Sequence, residues 1–302
     1  MAKLLAGSLL GCFDLVRAFP SWPGLAILLI LAAGLLLSSQ DALAKTLTLS
    51  YPLLLVVCLR YLAQSLLMLL VFAPRLGLDL LRTRRPLLQL ARGLSLVGVT
   101  LLFYGGLRYI PLGEATAVIF LAPLVVVALS VLWLKERVGR GVWLSIGGSM
   151  LGVLLIVRPG SALFTPAILL PLGAACCFGL YQLLTRRLSA SDHPAASNFI
   201  TALVGTLGTG LLLPWTWQLP QWHDLLLMAA LGALAMSGHM LLTHAYRYGS
   251  AASLAPFTYG QILTATLIGA LAFDHLPDTW AVLGMAVIML SGAALAWSQN
   301  RK

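Results

Sequence analysis

The sequence predicts an all-α polytopic membrane protein in which ten transmembrane helices form two inverted five-helix repeats. Three observations carry this expectation: an apolar excess too large for water, ten hydrophobic runs of bilayer length, and a weak internal repeat. Of 302 residues 60% are apolar and 9% charged, with a mean hydropathy of +0.96. Soluble domains carry about 25% charged residues, so much of this apolar surface must face lipid. The net charge of +10 comes from lysines and arginines clustered between apolar runs, which is topogenic charge rather than a nucleic-acid surface.

A helix needs about 20 apolar residues to cross a bilayer core. Ten segments qualify: 24–45, 51–73, 87–109, 112–134, 141–158, 166–186, 195–217, 224–246, 251–273 and 279–298. The joints are short and carry turn residues, among them Tyr51-Pro52, Ile110-Pro111, Pro159-Gly160, Leu219-Pro220, Gly249-Ser250 and Leu276-Pro277. Every tryptophan falls at or near a span end, as an interfacial belt requires: Trp22, Trp133, Trp143, Trp215, Trp217, Trp222, Trp280 and Trp297.

Orientation follows from the positive-inside rule. With both termini cytoplasmic, the inner side holds Lys3, Arg17, Arg75, Arg82, Arg84, Arg85, Lys135, Arg137, Arg140, Arg186, Arg187, Arg247, Arg301 and Lys302. The outer side holds Lys45, Arg108 and Arg158, and Arg60 and Arg92 lie within spans. Fourteen against three places both termini in the cytoplasm of a bacterial inner membrane. Residues 1–22 read as a cytoplasmic amphipathic segment on the membrane surface. The start lacks the pattern of a cleaved signal peptide, so the first span would act as the insertion signal.

When the chain is slid along itself until Leu107 meets Tyr246, LRYIPLGEATA aligns with YRYGSAASLAP. The same offset sets VLWLKERVGRGVW, from Val131, against ALAFDHLPDTWAV, from Ala270. Two repeats follow, 23–159 and 160–302, with spans 1–5 and 6–10. Five is odd, so the second is inverted relative to the first. Inverted repeats typify alternating-access carriers, whose site lies near mid-membrane at the repeat interface.

The run YIPLGEATAVIFLAPLVVVALSVLWLKERV, Tyr109 to Val138, resembles the fourth span of EamA-type carriers of the drug/metabolite transporter superfamily. The run from Ala245 to Gly292 resembles that family's ninth and tenth spans, and DALAK (Asp41 to Lys45) its first. The resemblance covers nearly the whole chain as two tandem repeats. It departs where Lys135-Glu136-Arg137 becomes Asp274-His275 in the second half. It implies a transporter of a small organic molecule, with export as the leading direction and amino acids or their derivatives, opine-type metallophores included, as leading cargo.

Charges inside spans are functional candidates by default. Asp41 and Lys45 share a helix face at i, i+4 and can pair; alternatively Asp41 binds a substrate ammonium or carries a coupling proton. Arg60 is the deepest charge, and unpaired it would cost at least about 2.5 kcal/mol. It either holds a substrate carboxylate or forms a fixed ion pair. Arg92 is expected to snorkel to the headgroups. Glu114 suits a helix N-terminus, with Arg108 near in sequence, and is a further proton candidate. His239 titrates in the right range to carry a proton, or is a hydrogen-bonded core histidine. His244 is five residues on, which is not the i, i+4 spacing of a two-histidine metal face.

Gln40, Tyr104, Phe120, Tyr181, Gln182, Tyr246, Tyr259 and Gln261 complete the candidate set. By resemblance their helices line the family's central cavity, and aromatic walls with a few hydrogen-bonding groups suit an amphiphilic ligand. Small residues of span five (Gly141, Ser145, Ser149; Gly148, Gly152) read as packing or dimer faces. The cysteines lack metal-ligand spacing. No hydrolase triad, phosphate loop or haem motif is present, so neither catalysis nor a cofactor is expected. The expected partners are the bilayer, a small-molecule substrate, a proton, and a second copy in a homodimer. Rival readings are uptake of a vitamin or nucleotide-like cofactor, a membrane enzyme acting on lipid, and a pore.

Overall fold

A computed structural model describes residues 23–122, 124–126, 140–158, 165–188, 191–248 and 257–300. Ten principal helices follow one another: α1 Pro23–Ser50, α2 Leu53–Leu76, α3 Pro86–Gly106, α4 Leu112–Ile119, α5 Arg140–Val157, α6 Leu169–Leu188, α7 Pro194–Gly210, α8 Trp222–Tyr248, α9 Gly260–Phe273 and α10 Thr279–Asn300. Short 3₁₀ turns at Gly77–Leu81, Pro166–Ile168 and Leu213–Thr216 link them, and no strand occurs among the described residues. Among the described residues five stretches are long and apolar enough to cross a bilayer alone: Gly24–Ser50, Leu53–Leu81, Pro86–Gly106, Pro166–Thr185 and Trp222–Leu242. Leucines such as Leu28, Leu70, Leu144, Leu154, Leu271 and Leu290 are exposed along the flanks. In water that would be a large hydrophobic surface; in lipid it is the outer wall of a multi-pass membrane protein.

Helix packing carries the internal symmetry. The most extensive contacts join helices of different halves: α5 with α10, α1 with α8, α3 with α6, α2 with α7, α2 with α8, α1 with α9, α3 with α7, and α4 with α9. Adding five to each helix number maps α1–α8 onto α6–α3, α2–α8 onto α7–α3, and α1–α9 onto α6–α4, which also touch. The match reaches single residues. A Cβ on Gly93 (α3) would meet the Val204 side chain (α7) at 2.7 Å, and one on Gly232 (α8) would meet the Ala63 Cβ (α2) at 2.6 Å. The offset that sets Leu107 against Tyr246 also sets Gly93 against Gly232, and one only two positions longer sets Ala63 against Val204. Glycine at both crossings lets the backbones close to a distance no side chain permits.

The structure moves several expected boundaries. The first span runs on to Ser50, 28 residues in all. The seventh stops at Gly210 rather than 217, because Pro214 sits in the 3₁₀ turn that follows and cannot extend an α-helix. The small residues of span five face inward: Gly148 abuts Ser291, and Gly152 and Gly284 abut each other's carbonyls. They form the α5–α10 contact, which removes the dimer reading for that face. Glu136 and the side chains of Gly141 and Tyr246 lie outside the described residues.

Candidate functional site

Two faces of the bundle are distinguished by α1: the near face, where it begins, and the far face, where it ends. Between them, polar residues of α1, α2 and α3 gather in an otherwise apolar interior. Arg60, about two turns into α2, is 2% exposed. Its guanidinium lies 4.6 Å from the Tyr61 ring centroid and 6.0 Å from that of Tyr104, in cation–π range. Its Nε and Nη1 are buried and meet no hydrogen-bond acceptor. Asp41, 7% exposed, lies in electrostatic range of Arg60. The Gln40 amide donates to the Asp41 carboxylate at 3.2 Å and to the Tyr104 hydroxyl at 2.6 Å, leaving its own oxygen without a donor. The Gln64 oxygen, one turn beyond Arg60 on α2, is also buried and unmatched. Buried polar groups are nearly always satisfied, so these unmatched donors and acceptors make the cluster the candidate polar site.

A second guanidinium sits toward the near face. Arg92 of α3 is 2% exposed and does not snorkel. It donates to Thr185 Oγ1 at 2.7 Å, the Ser197 carbonyl at 2.7 Å, Thr201 Oγ1 at 2.6 Å, the Tyr181 hydroxyl at 2.9 Å and Asn198 Oδ1 at 3.0 Å. Snorkelling requires a free path to water, and α6 and α7 close it with oxygens that use every N–H of the side chain. His239 of α8 lies in electrostatic range of both Arg60 and Arg92.

Phe120 and Tyr259 occupy corresponding positions of the two repeats, on the offset that sets Leu107 against Tyr246, and each interrupts a helix. α4 breaks at Phe120-Leu121, just before Pro123, whose missing N–H cannot bond the Ile119 carbonyl. Tyr259 separates the helical residues 257–258 from α9. The two rings touch, with centroids 5.3 Å apart. Discontinuous helices meeting at a repeat interface are where carriers place their sites. α1 ties this junction to the arginine cluster: Gly34 packs on the Gln261 backbone, and Ser38 bonds the Gln261 carbonyl and Thr264, two residues before Gln40. Gln261 thus contributes its backbone here. Gln182 is half-buried on α6, one residue past Tyr181.

Two sequence expectations fail. Lys45 does not pair with Asp41; its ammonium donates to the Ile110 carbonyl at 3.2 Å and lies 5.1 Å over the Phe273 ring. Asp41 lies in the field of Arg60 without an ion-pair contact, while Lys45, one turn further along α1, reaches the Ile110 carbonyl at the far face. Glu114 does not meet Arg108, which instead binds the carbonyls of Thr48 and Tyr51. Buried Glu114 faces His275 at 2.9 Å, near the far end of α9.

Residues that sequence reasoning passed over join elements of the two halves at each face. At the far face the Tyr51 hydroxyl, before α2, donates to Asp224 Oδ2 of α8 at 2.6 Å and accepts the Gln221 N–H at 3.1 Å. At the near face Asp192, before α7, accepts from Thr83 Oγ1 at 2.5 Å, Gln89 Nε2 at 2.8 Å and the Arg84 N–H at 3.2 Å, all at the start of α3. Partial burial works to raise the Asp192 pKa, yet these donors hold it below the ordinary carboxylate value. The offset that pairs Ala63 with Val204 also pairs Tyr51 with Asp192, so the two latches are symmetry mates. Their signal in the sequence was the repeat offset applied to polar loop residues.

Inverted halves, two broken helices meeting at their interface and a buried polar centre define a membrane transporter rather than an enzyme. The sequence matches the EamA-like transporter family over residues 24–158 and 165–297, and the chain belongs to that family. Among its relatives it is 28% identical over 211 residues to a riboflavin transporter of Vibrio cholerae, covering 69% of this chain and 70% of that one. It is 26% identical over 238 residues to an S-adenosylmethionine uptake transporter of Rickettsia prowazekii, covering 78% and 81%. It is 28% identical over 285 residues to a pseudopaline exporter of Pseudomonas aeruginosa, covering 91% and 96%. A solved crystal structure, 22% identical, superposes with a TM-score of 0.66 over 92% of this chain and 99% of the other, which shows the shared fold.

Proposed function

We propose that this transporter exports amino acids or amino-acid-derived compounds across the bacterial inner membrane by alternating access. The observation that carries the cargo class is the Arg60–Asp41–Gln40 cluster. A buried guanidinium with unmatched N–H groups suits a carboxylate, and the Asp41 carboxylate and unmatched amide oxygens suit an ammonium. The Phe120–Tyr259 pair at the helix breaks, with Tyr104 and Tyr181 nearby in the fold, would hold the apolar part of the molecule. Export is favoured because the pseudopaline exporter aligns over 91% of the chain, the riboflavin and S-adenosylmethionine transporters over 69% and 78%.

Alternating access is supported by the symmetry of the latches. Breaking the Tyr51–Asp224 contact would part α2 from α8 at the far face, and breaking the Asp192 contact would part α7 from α3 at the near face. We take the near face to be cytoplasmic, following the positive-inside count, and residues 23–159 and 160–302 to be the moving units. Of the three proton candidates we favour Asp41. Glu114 is occupied by His275 at one face, and His239 sits among two cations. Asp41 can exchange between Arg60, a proton and a substrate ammonium.

The riboflavin relatives favour a second reading, uptake of a vitamin-like aromatic held by Phe120 and Tyr259. Proteoliposomes loaded with radiolabelled amino acids, opines or riboflavin, with and without a pH gradient, separate the two. Saturable amino-acid flux lost in Arg60→Ala and Asp41→Asn supports export of amino-acid derivatives. Riboflavin flux insensitive to both substitutions supports the alternative.

A further inference from the structure

The charge balance of the interior limits the cargo further. Arg60 and Arg92 occupy the two symmetry-related crossings, α2 with α8 and α3 with α7. Thr201, which accepts from Arg92, is the mate of Arg60 on the offset that pairs Ala63 with Val204. Gly232 on α8, against the Arg60 carbonyl, stands one position past the mate of Arg92. One guanidinium therefore lies toward the far face and the other toward the near face. Among the described residues one carboxylate, Asp41, stands against these two cations. The other described acids are engaged elsewhere or exposed: Glu114 with His275, Asp224 with Tyr51, Asp278 with Arg158, Asp79 with Arg82, and Asp274 at the surface after α9. Asp192 serves the near-face latch and reaches Arg92 only through Gln89 and Ser197.

Arg92 is bound by three hydroxyls, one carbonyl and one amide oxygen. Those oxygens satisfy its hydrogen bonds and leave its charge uncancelled. A buried cation without a counter-ion is costly, and the cost falls when an anion arrives beside it. Resting on the amino-acid reading above, we infer that the cargo carries a net negative charge, with one anionic group more than it has ammonium groups. Arg60 grips a carboxylate. Arg92 is a positioning residue that acts through its field, so that whichever face opens, the incoming anion meets a cation first. The same field repels cations, so a sulfonium such as S-adenosylmethionine is excluded.

The test uses isosteric pairs that differ in one charge. Proteoliposomes holding the intact chain are given radiolabelled glutamate or glutamine, and aspartate or asparagine, with S-adenosylmethionine as competitor. The inference expects each acid to show a KM at least about tenfold below that of its amide, and no competition by the sulfonium. Arg92→Gln collapses the acid-to-amide KM ratio about tenfold, and Arg92→Lys restores it, which a purely structural role for Arg92 would not produce. Equal KM values for wild-type acid and amide overturn the inference and leave the carrier reading standing. An equal loss for both in Arg92→Gln overturns the role of Arg92. Saturable transport of neither acid nor amide overturns the amino-acid reading and this inference with it. The wild-type ratio decides the charge question even if both variants misfold.

Discussion

Replacing Tyr51 by phenylalanine removes one hydroxyl and leaves the ring buried in the apolar core. Two bonds are lost: the Gln221 N–H at 3.1 Å and, the stronger, the 2.6 Å contact to Asp224 Oδ2, a length typical of a hydroxyl donating to a carboxylate. The Asp224 side chain is 19% exposed, so water replaces the hydroxyl only in part. Hydrogen bonds to charged groups contribute about 1.5–3 kcal/mol, and each 1.4 kcal/mol is about tenfold in an equilibrium. The far face should therefore open roughly 10- to 100-fold more often in Tyr51→Phe. Hydrogen–deuterium exchange of the protein in lipid nanodiscs reads this directly. Amides of 219–226 exchange faster, Gln221 above all, because its N–H loses its acceptor. The informative signal is at the other face. If the halves alternate, amides of 83–89 and 191–198 become more protected as the population that opens there shrinks. Unchanged or faster exchange at 83–89 would refute the coupling and reduce the far-face effect to a local loss.

Three further outcomes are expected. Asp192→Asn weakens the near-face latch, so 83–89 exchange faster and the far face becomes more protected; reciprocal exchange in this variant checks the symmetry from the other side. Because the Asp192 pKa is depressed, its contribution is full above the ordinary carboxylate value of about 4 and is lost as pH falls through the depressed value. Wild-type protection factors at 83–89, with exchange corrected for its intrinsic pH dependence, should accordingly fall at acid pH, while Asp192→Asn shows no such step. At the α5–α10 contact, Gly284→Leu drives a side chain into the Gly152 carbonyl, 2.5 Å from the added Cβ. Overpacking costs about 1–3 kcal/mol, so differential scanning fluorimetry should show a lowered Tm, whereas Gly24→Leu, with nothing within 4 Å, leaves it unchanged.

Fold class was legible because lipid imposes a coarse rule. Ten apolar runs and an odd number per half suffice to specify inverted repeats without any contact being known. Helix limits were less legible, since a hydropathy run does not register a proline or glycine that stops the helix inside it, as at Gly210 before Pro214. Candidate residues were recognised by type, and Gln40, Asp41, Arg60 and Tyr104 do meet. Partners are harder to read where sequence neighbours compete with distant ones: Asp41 accepts from Gln40 in the field of Arg60 rather than pairing with Lys45, and Glu114 meets His275, 161 positions away. The depth of Arg92 in its span is visible in the sequence and points to snorkelling, but the wall of hydroxyls from α6 and α7 that encloses it is not. The latches were invisible one residue at a time, because Tyr51 and Asp192 share neither type nor motif. They correspond only in position, which the repeat offset encodes approximately.

Accessibility under lock tests most directly whether a central site is exposed to one face at a time. In a background without native cysteines, Tyr51→Cys with Gln221→Cys is bridged at the far face by a short bismaleimide. In a second protein Thr83→Cys with Asp192→Cys is bridged at the near face. Gln40→Cys serves as the reporter, protected by a reversible disulfide during bridging. With the far face bridged, a membrane-impermeant thiol reagent should reach the reporter only from the near side. With the near face bridged, it should reach it only from the far side. Labelling from both sides under either bridge would mean a pore, and labelling from neither would mean that this polar centre is not on the path.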